Sequence, residues 1–126
     1  MKKTAILLVC VALLGGCKTS IVTPEGTDAT YSKAEGVMRS TLPASMTDVV
    51  NATNATLEDL ELVAIDQTVD GLKGVISARM AVGTKVTINL ESQGFEHTSL
   101  RIKVGTFGNR SISLQILRSI ERQLNK

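Results

Sequence analysis

Three stretches in the second half of the chain alternate between apolar and polar residues, and this alternation constrains the fold more than any other feature. They cover residues 73–80, 84–91 and 100–104. Their apolar side chains fall on even numbers: Ile76, Ala78, Met80, Val86, Ile88, Leu90, Leu100, Ile102 and Val104. Because successive side chains of a β-strand point to opposite faces, we expect strands whose even-numbered residues lie in the core and whose odd-numbered residues face solvent.

Two further segments resemble strands of the same sheet. Residues 63–69 are a short alternating stretch that ends at Asp70-Gly71, a dipeptide typical of a tight hairpin turn. Residues 30–42 have a mixed but strand-like pattern, which Pro43 ends. The hairpin signal favours an antiparallel sheet.

Two segments have helical periodicity. Ser45 and Asp48 fit a capping box at the start of a helix over residues 46–61, and Asn109 can cap a second helix that follows it. The apolar stripes are predicted to be Met46, Val50, Thr53, Leu57 and Leu60 in the first helix, and Ile112, Ile116, Leu117, Ile120 and Leu124 in the second.

The predicted order is therefore β-α-β-β-β-β-α within a single domain over residues 30–126. A run of hairpin-linked strands favours a two-layer α+β fold, in which both helices pack on one face of an antiparallel sheet. With few aromatic residues and no tryptophan in the chain, the core must be mainly aliphatic.

The N-terminus has the layout of an export signal. Lys2 and Lys3 precede an apolar run over residues 5–14, and two glycines then lead to a cysteine. An apolar run of this length is too short to cross a bilayer, whose hydrocarbon core is about 30 Å thick. Residues 1–16 are therefore predicted to be a cleaved signal peptide.

The sequence Leu14-Gly15-Gly16-Cys17 resembles the bacterial lipobox. The resemblance implies cleavage before Cys17, a diacylglycerol thioether on its sulfur, and an amide-linked acyl chain such as palmitate. Two or more acyl chains anchor a protein stably without spanning the membrane. In enterobacterial-type sorting, a residue other than aspartate after the cysteine, here Lys18, implies the outer membrane, with the domain facing the periplasm.

The mature chain should be tethered, neutral and free of disulfides. Residues 17–29 include Pro24 and Gly26 and predict a flexible tether. Loss of the signal peptide removes Cys10 and two lysines, which leaves 12 basic against 12 acidic residues. Because this balance lacks a basic excess, it argues against a nucleic-acid partner.

Three stretches resemble a family of small bacterial lipoproteins that is known only as a domain of unknown function. They are TLPASMTDVVNATNATLEDL, ARMAVGTKVTINLE and, most specifically, RIKVGTFGNRSISLQILRSI. The likeness covers roughly residues 30–124 and implies lipid anchoring and this fold, but no activity. Asn109 stands where aspartate is expected in the family, and either residue can cap a helix.

The residues that commonly carry catalysis are not arranged for it. His97 is the one histidine, so a histidine pair or a multi-histidine metal site is excluded. Asp66 and Asp70 flank a predicted turn, and the remaining acids do not indicate two carboxylates aimed at one pocket. We expect no enzyme activity, no metal and no cofactor.

The turn before the second helix is one candidate anion site. Gly108, Asn109 and Arg110 would place free backbone N–H groups and one cation at a helix start, where anions bind. No P-loop sequence follows. The alternative is a plain strand-to-helix connection that needs glycine for its backbone angles, and this alternative is favoured.

The solvent face of the sheet is the second candidate. The predicted parity places Lys73, Arg79, Lys85, Arg101 and Lys103 on it, with Glu91 as the one acid on the same three strands. Such a face can simply be solvated, with lysines that discourage edge pairing. It can also bind an anionic lipid or an acidic protein of the envelope.

Two functions follow from these features. The first is a non-enzymatic interaction module held at the membrane by acyl chains on Cys17. The alternative is a small carrier with an apolar or lipidic ligand between sheet and helices. A filled core would favour the module, and a cavity with a mouth would favour the carrier. The sequence does not indicate an oligomeric state.

Overall fold

The computed structural model describes residues 18–22 and 28–126, which form one antiparallel sheet and two helices. The strands are β1 (Lys18–Val22), β2 (Asp28–Ser32), β3 (Val37–Leu42), β4 (Val63–Val69), β5 (Lys73–Arg79), β6 (Lys85–Ser92) and β7 (Thr98–Val104). The helices are α1 (Met46–Asp59) and α2 (Arg110–Leu124). The predicted signal peptide and Cys17 lie outside the described residues.

The α+β fold is confirmed. From α1 onwards the elements follow the predicted order, and most of their ends differ from the predicted ones by no more than two residues. The predicted first strand, residues 30–42, is instead a hairpin of β2 and β3. Residues 33–36 form its turn, closed by a hydrogen bond from the Gly36 N–H to the Ser32 carbonyl at 2.7 Å. Gly36 has a φ of 68°, which glycine adopts without strain.

The predicted tether also contains a strand. Lys18–Val22 forms β1, which pairs with β2 at the edge of the sheet. The tether prediction is therefore wrong for residues 18–22, because a short strand needs little apolar periodicity when a neighbouring strand supplies its hydrogen bonds. Residues 23–27 lie outside the described part of the chain.

The strands lie in the order β1-β2-β3-β7-β6-β5-β4, and each pairs antiparallel with its neighbours. We call the end of the sheet at which β1 begins the Lys18 end. Its connections cover 33–36, 80–84 and 105–109. The opposite end, here the Thr98 end, has connections that cover 70–72 and 93–97.

Both helices cover one face of the sheet and bury its even-numbered residues on β5, β6 and β7. Ile76, Ile88 and Ile102 are completely buried, as are Val49 of α1 and Ile116 of α2. The predicted parity is thus confirmed. The Thr98 hydroxyl donates to the Ala44 carbonyl at 2.9 Å and ties the start of α1 to the sheet.

The buried face of α1 is rotated relative to the prediction. Val49 and Thr56 are fully buried, whereas Val50 is only half-buried. The Thr53 hydroxyl donates to the Val49 carbonyl at 2.7 Å, so this polar group is satisfied within the helix. On α2, the outermost predicted positions, Ile112 and Leu124, are half-buried, while Ser113 and Ser119 are buried.

Neither helix in the described part of the chain is long and apolar enough to cross a membrane.

Candidate functional site

The face of the sheet opposite the helices, here called the outer face, carries odd-numbered side chains of β3, β5, β6 and β7. All of the cations that the parity predicted are on it: Lys73, Arg79, Lys85, Arg101 and Lys103. They are exposed except Lys103, which is half-buried between the neighbouring strands β3 and β6. The outer face is therefore a basic surface.

Arg39 of β3 is a further cation of this face that the sequence pattern missed. It pairs in register with Arg101, and its guanidinium forms an ion pair with Glu35 of the β2–β3 turn. Arg39 can be placed on the outer face only once β2 and β3 are recognised as a hairpin. Without that hairpin, the face to which residues 30–42 turn could not be assigned.

Two pairs of like charges stand directly opposite each other on the outer face. Arg39 lies across from Arg101, and Arg79 lies across from Lys85. Directly opposed like charges destabilise a sheet. Glu35 relieves the first pair, whereas neither Arg79 nor Lys85 forms an ion pair with a side chain of residues 29–126.

The outer face carries one acid towards each end. Glu91 stands opposite Lys73 towards the Thr98 end. Asp66 of the edge strand β4 pairs with Ser77, two residues from Arg79, and so lies nearer the Lys18 end. Lys73, Glu91 and Arg101 contribute to the lining of a shallow groove of about 130 Å³. Cations thus outnumber acids towards the Lys18 end, where Asp66 faces Arg79, Lys85 and Lys103, while Lys73 and Glu91 balance each other at the Thr98 end.

The connection from β7 to α2 is held by a backbone contact between two glycines. A Cβ on Gly108 would lie 2.7 Å from the Gly36 carbonyl carbon, and one on Gly36 would lie 2.7 Å from the Phe107 carbonyl carbon. The φ angle is 68° at Gly36 and 81° at Gly108. No other residue fits such a close approach at a positive φ.

At the start of α2, which was predicted as an anion site, one backbone N–H already donates a hydrogen bond within the chain. The Asn109 side chain accepts a hydrogen bond from the Ile112 N–H at 3.0 Å and caps the helix. Arg110 is exposed. The glycine geometry favours the simpler interpretation as a strand-to-helix connection, and anion binding here stays a prediction.

Residues 2–123 match the family described as "Protein of unknown function (DUF3568)". The chain belongs to this family. The resemblance to a family of unknown function is thereby confirmed. None of the curated proteins matches the chain.

The acids of this DUF3568 protein serve turns and helix contacts. The Asp70 carboxylate accepts from the Lys73 N–H at 2.8 Å and from the Leu72 N–H at 2.7 Å. These hydrogen bonds, with a contribution from the Lys73 charge, lower the pKa of Asp70. Asp59 accepts from the Gln123 amide. These contacts order the β4–β5 turn and the helix pair.

His97 is exposed in the β6–β7 loop. Among the described residues, no group of three or more His, Cys, Asp or Glu side chains could hold a metal ion.

A cleft of about 560 Å³ lies between α1 and the end of α2. Its lining is mainly small or polar: Leu42, Pro43, Ala44, Asp48, Asn51, Ala52, Ala55, Glu121, Gln123, Leu124, Asn125 and Lys126. The cleft is open at the rim of the helix layer rather than enclosed between helices and sheet. Such a lining mixes polar and apolar surface, unlike the predominantly apolar walls of most small-ligand pockets.

Proposed function

We propose that this chain is a non-enzymatic, lipid-anchored module of the bacterial envelope that binds an acidic surface of another envelope protein through its outer face. Acyl chains on Cys17 would hold it in the outer membrane, with the domain in the periplasm. The observation that supports this proposal is the exposed basic face, on which Arg79 and Lys85 stand in register and form no ion pair with a side chain of residues 29–126.

Electrostatics favours an anionic partner for this face. Two neighbouring cations repel each other in the free protein, so a carboxylate placed between them would relieve the repulsion and gain attraction. Complementary charge of this kind mainly raises the association rate and the specificity. Phosphate groups of lipids share this chemistry, and the experiment below separates them from a protein.

The core argues against the alternative of a carrier. The side chains between the sheet and the helices include Leu42, Val86, Ile88, Leu117 and Ile120, all of them fully buried. Close-packed aliphatic side chains of this kind leave no room for a ligand. The cleft beside α2 is open at the rim of the helix layer, and its mixed polar and apolar lining does not enclose an acyl chain.

The anchor is tested by Cys17→Ala. We expect the variant to remain in the soluble fraction or as uncleaved precursor, because the thioether cannot form. Intact-mass spectrometry of the wild-type chain should show cleavage before Cys17 together with the mass of the acyl groups. An unlipidated Cys17 in the wild-type mature chain would contradict the anchor. Recovery of the wild-type chain with inner-membrane markers would contradict the sorting.

The outer face is tested by charge reversal. A photo-crosslinking residue at Thr87, on the outer face between Lys85 and Asn89, should capture a protein partner in intact cells. Arg101→Glu should reduce the yield of this product severalfold, because the charge complementarity is reversed. Arg118→Glu is the matched control, since Arg118 is also an exposed arginine but lies on the helix layer.

Three results would count against this surface. They are a product that Arg101→Glu leaves unchanged, one that Arg118→Glu removes equally, and one that contains lipid rather than protein. Thermal unfolding of both variants should match the wild type, because single surface substitutions usually change stability by less than about 0.5 kcal/mol.

A further inference from the structure

The position of β1 places the predicted lipid anchor at one end of the sheet. Cys17 directly precedes Lys18, the first residue of β1, which pairs with Ser32 at the end of β2. One residue spans less than about 4 Å. If Cys17 carries lipid, as the proposed function holds, the Lys18 end therefore lies next to the membrane.

The Lys18 end presents two apolar side chains to solvent. Phe107 in the β7–α2 connection is 90% exposed, and Val82 in the β5–β6 turn is 83% exposed. Large apolar groups at adjacent turn tips are the groups that enter the interface of a bilayer. Side chains this exposed contribute little to the packing of the core.

Exposed cations surround these apolar tips. Lys33 lies in the β2–β3 turn, Lys85 begins β6, and Arg110 begins α2. The acids nearby are Glu35, which forms the ion pair with Arg39, Glu61 in the connection from α1 to β4, and Asp66 of β4, which lies beside Arg79. Clustered lysine and arginine side chains are attracted to anionic lipid headgroups.

The Thr98 end has the opposite charge. It also exposes an aromatic side chain, Phe95, at 97%. Its exposed neighbours at the turns and strand ends include the acids Asp70, Glu91 and Glu96, with Lys73 as a cation. Apolar exposure is thus shared by both ends, while a basic surround is found at the end that adjoins Cys17.

The glycine contact keeps Phe107 at the tip. Gly36 and Gly108 lock the β2–β3 turn against the β7–α2 connection, and Phe107 is the residue directly before Gly108. A side chain on a fixed backbone loses less conformational entropy when it binds than one on a mobile loop.

We propose that the Lys18 end is a membrane-contact surface, in which Phe107 and Val82 enter the headgroup region of the bilayer and Lys33 and Arg110 bind anionic lipid headgroups. This inference rests on the proposed lipid anchor. In this orientation the strands meet the membrane at the Lys18 end, and the outer face remains accessible to a protein partner.

Tryptophan reporters test the orientation directly, because the chain contains no tryptophan. Phe107→Trp and Phe95→Trp are matched variants at opposite ends of the sheet. Each full-length mature protein is reconstituted in vesicles of phosphatidylethanolamine and phosphatidylglycerol that contain lipids brominated near the headgroup. We expect emission at shorter wavelength and severalfold stronger quenching for Trp at position 107. Equal quenching at both positions, or stronger quenching at position 95, would overturn the inference.

The basic surround has its own matched pair on α2. Arg110 and Arg122 are both exposed, and they are separated along the helix by about 18 Å at 1.5 Å per residue. In the Phe107→Trp background, Arg110→Glu should lower the quenching in anionic vesicles and change little in phosphatidylcholine vesicles. Arg122→Glu should leave both unchanged. Identical effects of the two substitutions would contradict a role for anionic headgroups at the Lys18 end.

The mass of each preparation reports on the anchor independently. A protein that carries acyl chains but shows no difference between positions 107 and 95 overturns the membrane contact and leaves the lipid anchor standing. A mature protein without acyl chains overturns the anchor and, with it, the inferred orientation. The circular dichroism melting curve of each variant shows whether the fold is intact.

Discussion

Replacing Ile102 with alanine is expected to lower the free energy of unfolding by about 2–5 kcal/mol, and Ile88→Ala should cost a similar amount. Both side chains are completely buried, and they stand opposite each other on β6 and β7. The loss combines the transfer free energy of the removed groups with the cavity that remains. Urea unfolding followed by circular dichroism measures it.

Arg101→Ala is the control for this prediction, because Arg101 adjoins Ile102 on the same strand but is exposed on the outer face. It should change stability by less than about 0.5 kcal/mol. Total stabilities are typically about 5–15 kcal/mol, so the core losses are a large share. If Arg101→Ala costs as much as Ile102→Ala, the assignment of inner and outer faces is wrong.

The inner face of β5, β6 and β7 could be predicted because alternation in a strand has only two solutions. A shift of one residue would bury Arg101 and expose Ile102, and the free-energy difference between these arrangements is large. The same reasoning located most of the outer-face cations. Strand parity was therefore a strong signal wherever one face was consistently apolar.

The segment before α1 was harder because two strands with opposite parity share it. Tyr31 and Met38 are both buried, although one number is odd and the other even. A single strand cannot bury both on one face, so the mixture itself indicated a turn between them. Reading residues 30–42 as one strand missed that turn, and with it the position of Arg39 on the outer face.

The register of α1 was missed for a different reason. Val49 and Val50 are adjacent, and a hydrophobic pattern accepts either one as the buried position. Thr53 fits either choice, and Thr56 decides for Val49, because it is fully buried two turns further along the helix. A count of apolar residues gives threonine little weight, although its hydroxyl can be satisfied by a carbonyl of the preceding turn, as in Thr53.

The contact between Gly36 and Gly108 could not be predicted, because it joins two turns that are distant in sequence. The GTFG segment indicated a turn that needs glycine, but not the backbone packed against it. The contact determines where Phe107 sits, and it therefore links the fold to the inferred membrane surface. Its energetic weight can be measured by adding a single methyl group.

Gly108→Ala is expected to destabilise the domain by about 2–5 kcal/mol, because the left-handed conformation costs an L-residue roughly 1–2 kcal/mol and the clash adds about 1–3 kcal/mol. Gly83→Ala is the control: its φ is 91°, but nothing lies within 4 Å of a Cβ there. It should cost about 1–2 kcal/mol from strain alone. Urea unfolding curves give both values.

Because Gly36 and Gly108 share one contact, the double variant Gly36→Ala/Gly108→Ala should cost less than the sum of the single variants. Strictly additive losses, or equal losses for Gly83→Ala and Gly108→Ala, would show that the two turns are not locked together.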